Sequence, residues 1–498
     1  MMRSNIISNF LGQGWSALIS LAFVPIYIKY LGIESYGLIG LFTALQAWLT
    51  ILDMGMAPTL SREMARHTGG AHSAKSIWDL LRSIEFLVCI FAVIIICSAW
   101  GVSGWLAEGW LKVDTLPLQD VSQSLFIMGV VASLRLIENV YRSSLVGLQQ
   151  QVVVNLVGAA MATLRSGGAV LVLIWVQSDI RAFFIWQGVA SILTVLILSF
   201  LVYKKLPSIS ATAQFSVESL RQVGSFAVGM MLTTFFALLL TQADKIILSK
   251  ILSLSEFGSY TFAALISSGL FMFVMPITQA FFPRFSELYA QKDISNLSKS
   301  FHQGAQLVTV LLVALASTLI FFGVQIITLW TQNPQLAEKS APLVSILAMG
   351  SLLNGLLWIP YQAQLAHGWT SLGVRVNAVA ALFVVPAIIV VAPVYGGIGA
   401  AYVWLVLNIG YIAIGMSFMF RRILTEEKWR WFFEDVCIPA AVGFGFVWLA
   451  SLIDIDGVGG VGRIFFIVGV CGGAVVACSL AAPLVRRYIV KSVALIFN

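Results

Sequence analysis

Two arginines, Arg135 and Arg165, lie in the middle of long apolar stretches of the 498-residue chain. A cation at bilayer depth costs at least about 2.5–3.5 kcal/mol, so it usually faces a partner or a water-filled cavity. Guanidinium groups match phosphate oxygens in a bidentate fashion. Two of them at similar depth therefore predict an anion-accepting cavity inside a membrane protein, with phosphate or pyrophosphate as its ligand.

Further polar residues share one helix face with Arg135. Glu138, Asn139 and Arg142 follow it at spacings of three, four and seven residues, which places all four on one stripe. Because such a stripe cannot face lipid without cost, we expect it to face the bundle interior or water. Glu138 is expected to tune Arg135, and Arg165, which has no acid in its own span, is then the cleaner anion site. A structural ion pair that pins neighbouring helices together is the alternative.

A second group of charged residues lies nearer the ends of apolar segments. Asp244 is the candidate for binding a coupling proton or Na⁺, although the sequence favours an interfacial anchor. Its neighbour Lys245 projects about 100° away on a helix, so the two need not pair. Asp53 and Arg62 form either a gate pair or an interfacial pair. H⁺ or Na⁺ gradient coupling is therefore left open.

Composition and motifs argue against a soluble enzyme. Hydrophobic residues make up 59% of the chain and charged residues 10%, with a mean hydropathy of +0.94, whereas soluble domains carry roughly 25% charged residues. No nucleotide-binding P-loop, G-x-S-x-G motif or carboxylate pair on a soluble domain is present. The histidines fall in polar connectors without metal-ligand spacing: His67, His72, His302 and His367. We expect no enzymatic activity, no metal or other cofactor and no nucleic-acid partner.

Membrane-spanning helices of about 20 apolar residues must position these side chains. Fourteen candidates can be placed: 6–28, 36–57, 84–106, 121–145, 152–175, 182–203, 224–249, 257–281, 304–329, 341–363, 374–392, 397–420, 436–453 and 463–482. Of the 29 Lys and Arg residues, 20 fall on the side of the two termini, 6 on the opposite side and 3 within spans. Because Lys and Arg concentrate in cytoplasmic loops, both termini are predicted to be cytoplasmic, with twelve or fourteen spans.

Polar residues outside the arginine stripe give two further expectations. The basic connectors around 61–82 and 284–303 are predicted to be interfacial helices near anionic lipid, with a gating role as the alternative. The first span carries a polar face that either packs against another helix or lines a hydrated lumen. This face consists of Asn5, Asn9, Gln13, Ser16 and Ser20. It contains no acid.

An internal repeat predicts the arrangement of the spans. The segment Lys29–Gly37 aligns with Lys250–Gly258 at an offset of 221, with Lys, Leu and Gly identical. The offset holds six spans, so the copies share one orientation, as in transporters built from parallel bundles. The predicted fold is an all-α polytopic membrane protein of about fourteen helices. It comprises an N-terminal six-helix bundle (1–210), a C-terminal six-helix bundle (211–425) and an additional helix pair with a cytoplasmic tail (426–498).

Three segments of the sequence resemble a known family. "YLGIESYG" at 30–37 and "LDMGMAPTLSREMA" at 52–65 are similar to signature regions of polysaccharide-export flippases. "QADKIILSKILSLSEFGSY" at 242–260 looks like the matching region of their second bundle. These flippases share the multidrug and toxin extrusion (MATE) fold, and the resemblance covers roughly residues 1–420. The last helix pair is additional to the twelve-helix core.

The resemblance implies a flippase in the bacterial inner membrane. Such a protein moves an undecaprenyl-pyrophosphate-linked oligosaccharide to the outer leaflet by alternating access, for O-antigen and other cell-surface polysaccharide synthesis. Arg135, Arg142 and Arg165 would hold the pyrophosphate. The resemblance also admits a polysaccharide polymerase and other assembly proteins as partners, besides the lipid bilayer. A cation-coupled multidrug exporter of the same fold is the alternative, and a membrane-embedded transferase or scaffold is a third.

Overall fold

The computed structural model describes residues 12, 14–53, 55–68, 73–207, 214–369, 371–455 and 457–487. No β-strand occurs among these residues, which form nineteen α-helices joined by short turns and three π-helical turns. The helices are α1 Gly14–Ala22, α2 Val24–Leu49, α3 Met56–Thr68, α4 Ala74–Trp105, α5 Leu118–Gly147, α6 Gln151–Trp175, α7 Ile180–Lys205, α8 Val217–Ile251, α9 Leu254–Ser268, α10 Leu270–Ala290, α11 Ile294–Phe321, α12 Gly323–Thr331, α13 Pro334–Leu356, α14 Trp358–Ala366, α15 Ser371–Gly410, α16 Met416–Met419, α17 Lys428–Arg430, α18 Ile438–Ser451 and α19 Gly460–Ala481. The all-α prediction is confirmed.

Helices of membrane-spanning length dominate the described chain. Ten are long and apolar enough to cross a bilayer, or eleven when α1 and α2, bent by 49°, count as one span. The protein is therefore a multi-pass membrane protein. Two helices each run across the boundary between two predicted spans, and each is kinked at a glycine with a positive φ: Gly32 in α2 (φ 80°) and Gly396 in α15 (φ 60°). The count of fourteen spans and the sidedness of the termini stay predictions.

The chain divides into two compact units, residues 1–258 and 259–498. In the first, α5 packs against α3, α4 and α7 around a core that includes Leu60, Leu81 and Leu145. In the second, α11 packs against α10, α13, α18 and α19 around a core that includes Phe301 and Trp431. One helix in each unit is thus enclosed by several others, and it is there that polar side chains need partners. The predicted domain boundaries at 210 and 425 stay predictions.

The glycine shared by the two repeat segments marks a close helix approach. A β-carbon on Gly37 would overlap the backbone oxygen of Leu254, and one on Gly258 would overlap the backbone oxygen of Ile33. Only glycine lets the two backbones approach so closely. This crossing gives a physical reason for the glycine that both segments share.

The basic connectors differ from the prediction in one of two cases. The first contains α3, a separate helix that buries Leu60 and Met64 and exposes Arg66. The second contains no helix of its own, because α10 continues to residue 290 and α11 already begins at 294. The predicted interfacial helix at 284–303 is therefore wrong, and so is the placement of His302 in a polar connector. The apolar pattern runs on through Phe301, so this turn of α11 is buried.

The polar face predicted for the first span is only partly within the described chain. Asn5, Asn9 and Gln13 lie outside the described residues. Within α1, the hydroxyls of Ser16 and Ser20 donate to backbone carbonyls of their own helix. Such back-bonding occupies the hydroxyl hydrogens locally. The described part of this face therefore fits helix packing as well as a hydrated lining.

Candidate functional site

A cavity of about 280 Å³ opens in the first unit beside the middle of α5. Its polar lining comes from α2 and the residue after it, from α5 and from α6, and consists of Gln46, Thr50, Arg135, Glu138, Asn139, Arg142 and Arg165. The predicted stripe on α5 thus faces this cavity, because helical spacings of three, four and seven residues return to one face. The volume lies near the lower end of the roughly 300–1,000 Å³ found for small-molecule sites.

Arg165 reaches across from α6 to the acid on α5. Its Nη2 lies 2.5 Å from Oε2 of Glu138 and donates to the hydroxyl of Thr194 on α7 at 3.1 Å. Both members of the ion pair are largely shielded, with side chains 18% and 11% exposed. Arg165 is therefore neutralised by a carboxylate. The expectation that it is the cleaner anion site is wrong, because a partner on a neighbouring helix cannot be seen within its own span.

Arg135 is held by neutral groups instead of by Glu138. Its Nη1 donates to Oε1 of Gln46 at 2.6 Å, and its Nη2 donates to Oε1 of Gln187 at 3.2 Å. The guanidinium also lies over the ring of Phe42, 5.2 Å from the centroid. Amide oxygens orient a cation without cancelling its charge. None of these contacts neutralises Arg135. It therefore has the unpaired positive charge that the sequence analysis predicted for Arg165.

A tight contact between α6 and α7 sets the register of these two helices beside the arginines. A β-carbon on Gly168 would overlap the indole of Trp186, so the two helices approach closely at this point. The indole Nε1 of Trp186 donates to the backbone oxygen of Leu164 at 3.1 Å, and Gln187 Nε2 donates to that of Arg165 at 3.4 Å. These bonds hold α6 and α7 in one register. Gln187 and Thr194, the α7 residues that contact the two guanidinium groups, are positioned by that register.

The cavity carries an excess of positive charge and unused donors. Three arginines face one glutamate, so the formal charge of the lining is +2. Arg142 is exposed and forms no ion pair or hydrogen bond within the part of the chain that the structure describes. The Nε groups of Arg135 and Arg165 are buried without a hydrogen-bond acceptor among the residues that the structure describes. A buried unsatisfied donor costs about 1–3 kcal/mol, which an anionic ligand that accepts from it would recover.

The other predicted site residues do not line this cavity. Lys245 Nζ contacts Oδ1 of Asp244 at 3.4 Å and donates to the backbone oxygen of Thr241 at 3.0 Å, so the two neighbours do pair. Asp53 is buried, and its carboxylate accepts from the backbone N–H of Ala57 at 3.1 Å. Arg62 lies on α3, 3.8 Å from Glu63. Asp53 and Arg62 thus have different partners in these contacts.

Sequence reasoning missed the amides that orient Arg135. Gln46 and Gln187 are uncharged, and neither stands in a spacing pattern with the arginines. One feature of the sequence could have indicated them. Each is a primary amide in the middle of an apolar span, where polar side chains generally hydrogen-bond across helices. Thr194, which accepts from Arg165, carries no such signal, because threonine hydroxyls commonly bond to their own helix, as this one also does to the oxygen of Ala190.

Comparison with known protein families gives two matches. The model of the family described as "Polysaccharide biosynthesis protein" matches residues 2–289, more than half of the chain. The MatE family model matches residues 229–390. The resemblance to polysaccharide-export flippases with a MATE-like fold is thereby confirmed.

Individual relatives agree with these families. A "Putative O-antigen transporter" of Shigella flexneri is 20% identical over 404 residues, covering 80% of this chain and 93% of that protein. The lipid II flippase MurJ in an inward closed conformation superposes with a TM-score of 0.68 at 12% identity, covering 94% of this chain and 97% of the other. An inward-facing multidrug resistance MATE transporter of the MOP superfamily gives a TM-score of 0.67 at 15% identity, with 83% and 96% covered. These relatives are transporters and flippases rather than enzymes.

Proposed function

Because the chain belongs to the polysaccharide biosynthesis protein family, we propose that it is a lipid-linked oligosaccharide flippase of the bacterial inner membrane. Its substrate is an undecaprenyl-pyrophosphate-linked glycan, moved to the outer leaflet by alternating access for cell-surface polysaccharide synthesis. Relatives named as an O-antigen transporter and a lipid II flippase support this class of substrate. A polysaccharide polymerase and other assembly proteins are the partners that would receive the translocated glycan.

The single observation that carries the proposal is the cationic cavity in the first unit. A pyrophosphate crossing a bilayer needs a site that replaces its hydration with charge and N–H donors. Arg135 offers both, since its guanidinium is oriented by two amide oxygens and not paired with a carboxylate in these contacts. Arg142 adds a second charge on the same face of α5. We assign the head group to these two arginines.

Arg165 and Glu138 have a different role in this proposal. Their ion pair joins α5 to α6 and closes one wall of the cavity. It contributes no net charge, and it positions the cavity wall against which the head group rests. The cavity volume of about 280 Å³ suits a phosphate group and leaves no room for an oligosaccharide. The glycan and the polyprenyl chain must then occupy other surfaces.

A cation-coupled multidrug exporter has the same fold, and a MATE transporter is among the structural neighbours. A cationic drug needs acidic groups in excess of basic ones at its binding site. The lining described above has the opposite balance, with a formal charge of +2. The charge of the cavity therefore favours the anionic lipid-linked substrate.

Ion coupling and gating are assigned to a second set of residues. Asp244 is partly shielded, with its side chain 19% exposed, and Lys245 contacts it. Protonation or Na⁺ binding at Asp244 would compete with that contact, which is the chemistry that coupling requires. The gating candidates are Asp53, which lies just before α3, and Arg62, which lies in the middle of that helix. The test is an Asp244→Asn variant. If its transport depends on the ion gradient as strongly as that of the native chain, Asp244 is not the coupling site.

The proposal is tested by complementation in a deletion strain with matched expression. Arg135→Ala and Arg142→Ala are expected to lower surface polysaccharide at least about tenfold when combined, because each removes a charge that would hold the phosphates. Arg135→Lys should retain only part of the activity, since lysine lacks the planar fork. Arg82→Ala is the matched control: Arg82 lies on α4, paired with Glu85 outside the cavity. Wild-type polysaccharide levels in the combined Ala variant would contradict the proposal.

Purified protein in liposomes gives the direct measurement. Lipid-linked oligosaccharide placed in one leaflet should become accessible to a membrane-impermeant glycosidase from the other side. The native chain and the Arg82→Ala variant should support this transfer, and the combined Ala variant should not. Equal transfer of a cationic dye and no transfer of the glycolipid would favour the exporter alternative.

A further inference from the structure

A cluster of buried ionisable groups in the second unit is not part of the proposed transport site. His302 on α11 and Asp435 in the π-helical turn Trp431–Cys437 are both fully buried. The imidazole Nδ1 lies 2.5 Å from Oδ2 of Asp435, and Nε2 lies 3.0 Å from Oε2 of Glu427. Both ring nitrogens therefore face carboxylate oxygens, which is an unusual arrangement for a neutral histidine.

Counting donors shows that this cluster needs an extra proton. A neutral imidazole has one N–H and one bare nitrogen, and an ionised carboxylate only accepts. One of the two contacts would then bring a nitrogen lone pair against a carboxylate oxygen in a buried site. Either an imidazolium or a protonated carboxyl removes that repulsion. The geometry thus demands one proton more than a neutral histidine with two carboxylates contains.

The remaining contacts indicate which acid keeps its charge. Burial acts to raise the pKa of the Glu427 carboxyl, but hydrogen bonds from Ser298 and His302 and the nearby charges outweigh it, so this pKa lies below its ordinary value. Arg430 is the basic group beside it, with Nη1 3.5 Å from Glu427 and Nε 3.2 Å from Glu434. Glu427 is therefore ionised, which leaves the extra proton on His302 or Asp435.

The other groups around the cluster are neutral. Gln306, one helical turn along α11, donates through Nε2 to Oδ1 of Asp435 at 2.8 Å. The ring of Phe301 lies edge-on to the imidazole, and the neighbouring helices α10, α13 and α14 contribute apolar residues to the same core. No three His, Cys, Asp or Glu side chains have metal-binding geometry in the described part of the chain. A proton is therefore the ligand that the described surroundings support.

The cluster joins α11 to both ends of the C-terminal helix pair. Glu427 and Asp435 flank the start of the segment that leads into α18. Gln306 accepts through Oε1 from the backbone N–H of Leu484, 2.8 Å away and just beyond α19. Glu427 is the member closest to water, with 23% of its side chain exposed, whereas His302 and Asp435 have none. Of these three groups only Glu427 contacts water, so a proton from solution would reach the cluster past Glu427.

We propose that His302, Asp435 and Glu427 form a proton-binding site that clamps the C-terminal helix pair to α11. The bound proton lets both ring contacts be hydrogen bonds, and its loss leaves a repulsive contact that loosens residues 427–437. At neutral pH the folded protein binds this proton, whereas a histidine and a carboxylate in the unfolded chain largely do not. The clamp is therefore present at low pH and is lost as the pH rises past the point where the site releases its proton.

Spectroscopy on the native chain in lipid nanodiscs tests the proton count. The sequence has four histidines, so ¹⁵N-imidazole labelling gives few signals, and His302→Gln identifies the one in question. We expect both nitrogens of His302 to be protonated at neutral pH, or one of them together with a protonated-carboxyl infrared band that Asp435→Asn abolishes. A singly protonated ring with every carboxylate ionised would overturn the proposal.

Hydrogen–deuterium exchange tests the clamp. After correction for intrinsic rates, amides of residues 431–451 should exchange at least about tenfold faster at about pH 9 than at about pH 6, because loss of the proton removes one hydrogen bond of the clamp. In Asp435→Asn the introduced amide can donate to Nδ1, so a neutral histidine suffices and the pH dependence should vanish with the fold intact. His367→Gln, at the end of α14, is the control that should keep it. A pH dependence that is absent from the native chain, or unchanged in Asp435→Asn, would refute the clamp.

Discussion

The ion pair between Glu138 and Arg165 can be separated experimentally from the charge that the cavity presents. Replacing either residue by glutamine leaves its partner as an unpaired charge with little exposure, 18% for Arg165 and 11% for Glu138. Removing one member of a buried pair costs about 3–5 kcal/mol. Because the cavity admits some water, we expect about 3 kcal/mol for each single variant. Replacing both should cost about 1 kcal/mol, with a coupling energy of several kcal/mol in the double-mutant cycle.

The same double variant keeps the formal charge of the lining. Glu138→Gln with Arg165→Gln removes one negative and one positive group, so Arg135 and Arg142 still give +2. Arg135→Gln with Arg142→Gln lowers the charge to zero and leaves the ion pair intact. If the net charge binds the head group, the first double variant should retain most surface polysaccharide and the second should lose most of it.

Two measurements on the same set of variants decide the matter. Apparent unfolding temperatures of the purified protein in detergent report the stability cycle, and surface polysaccharide at matched expression reports transport. Two outcomes would refute the reasoning. One is additive destabilisation by the two single changes, which would mean that the pair contributes no coupling. The other is loss of polysaccharide in the stable Glu138 and Arg165 double variant, which would show that the pair itself binds substrate.

Three further predictions concern the elements that support the cavity, and each is checked by thermal unfolding of the purified variant. Gln187→Leu removes an acceptor of Arg135 and should cost about 1–3 kcal/mol and also lower surface polysaccharide. Gly147→Ala should cost about 1–3 kcal/mol, because its β-carbon would overlap the backbone oxygen of Ser61 and force α3 away from α5. Asp53→Ala removes the carboxylate that accepts from the first turn of α3 and should cost about 1 kcal/mol. No loss of stability in any one of them would contradict the corresponding contact.

The stripe on α5 could be predicted from the sequence because helical periodicity is local. Residues 135, 138, 139 and 142 share a face in any α-helix, whatever surrounds it. The partner of Glu138 could not be predicted in the same way. It depends on how α5, α6 and α7 pack against each other, and the contact of Gly168 with Trp186 determines one of these packings, that of α6 with α7. Helical periodicity therefore predicts which charged residues share a face of α5, whereas tertiary packing determines which of them form ion pairs.

For His302 the local sequence pattern predicts the wrong environment. Its neighbours Lys299 and Gln303 are polar, so hydropathy placed it in a connector. The structure buries it because Asp435, 133 residues further along the chain, supplies a hydrogen-bonding partner. A titratable group can be buried when a distant segment satisfies it, and no local pattern announces such a partner. The same limit applies to Gln306, whose partners also lie in the C-terminal segment.

The two clusters bury charge in ways that point to different ligands. Around Arg135 the net charge is basic and the hydrogen-bonded partners given above are neutral amides, so a substrate can supply the remaining counterion. Around His302 the charge is acidic, and a single proton completes every contact between the ring and the two carboxylates. A cluster that still lacks a counterion after its own contacts are counted is a better candidate for a large ligand than one that a proton completes. On that criterion we assign Arg135 and Arg142 to transport, and His302 and Asp435 to the attachment of the C-terminal helix pair.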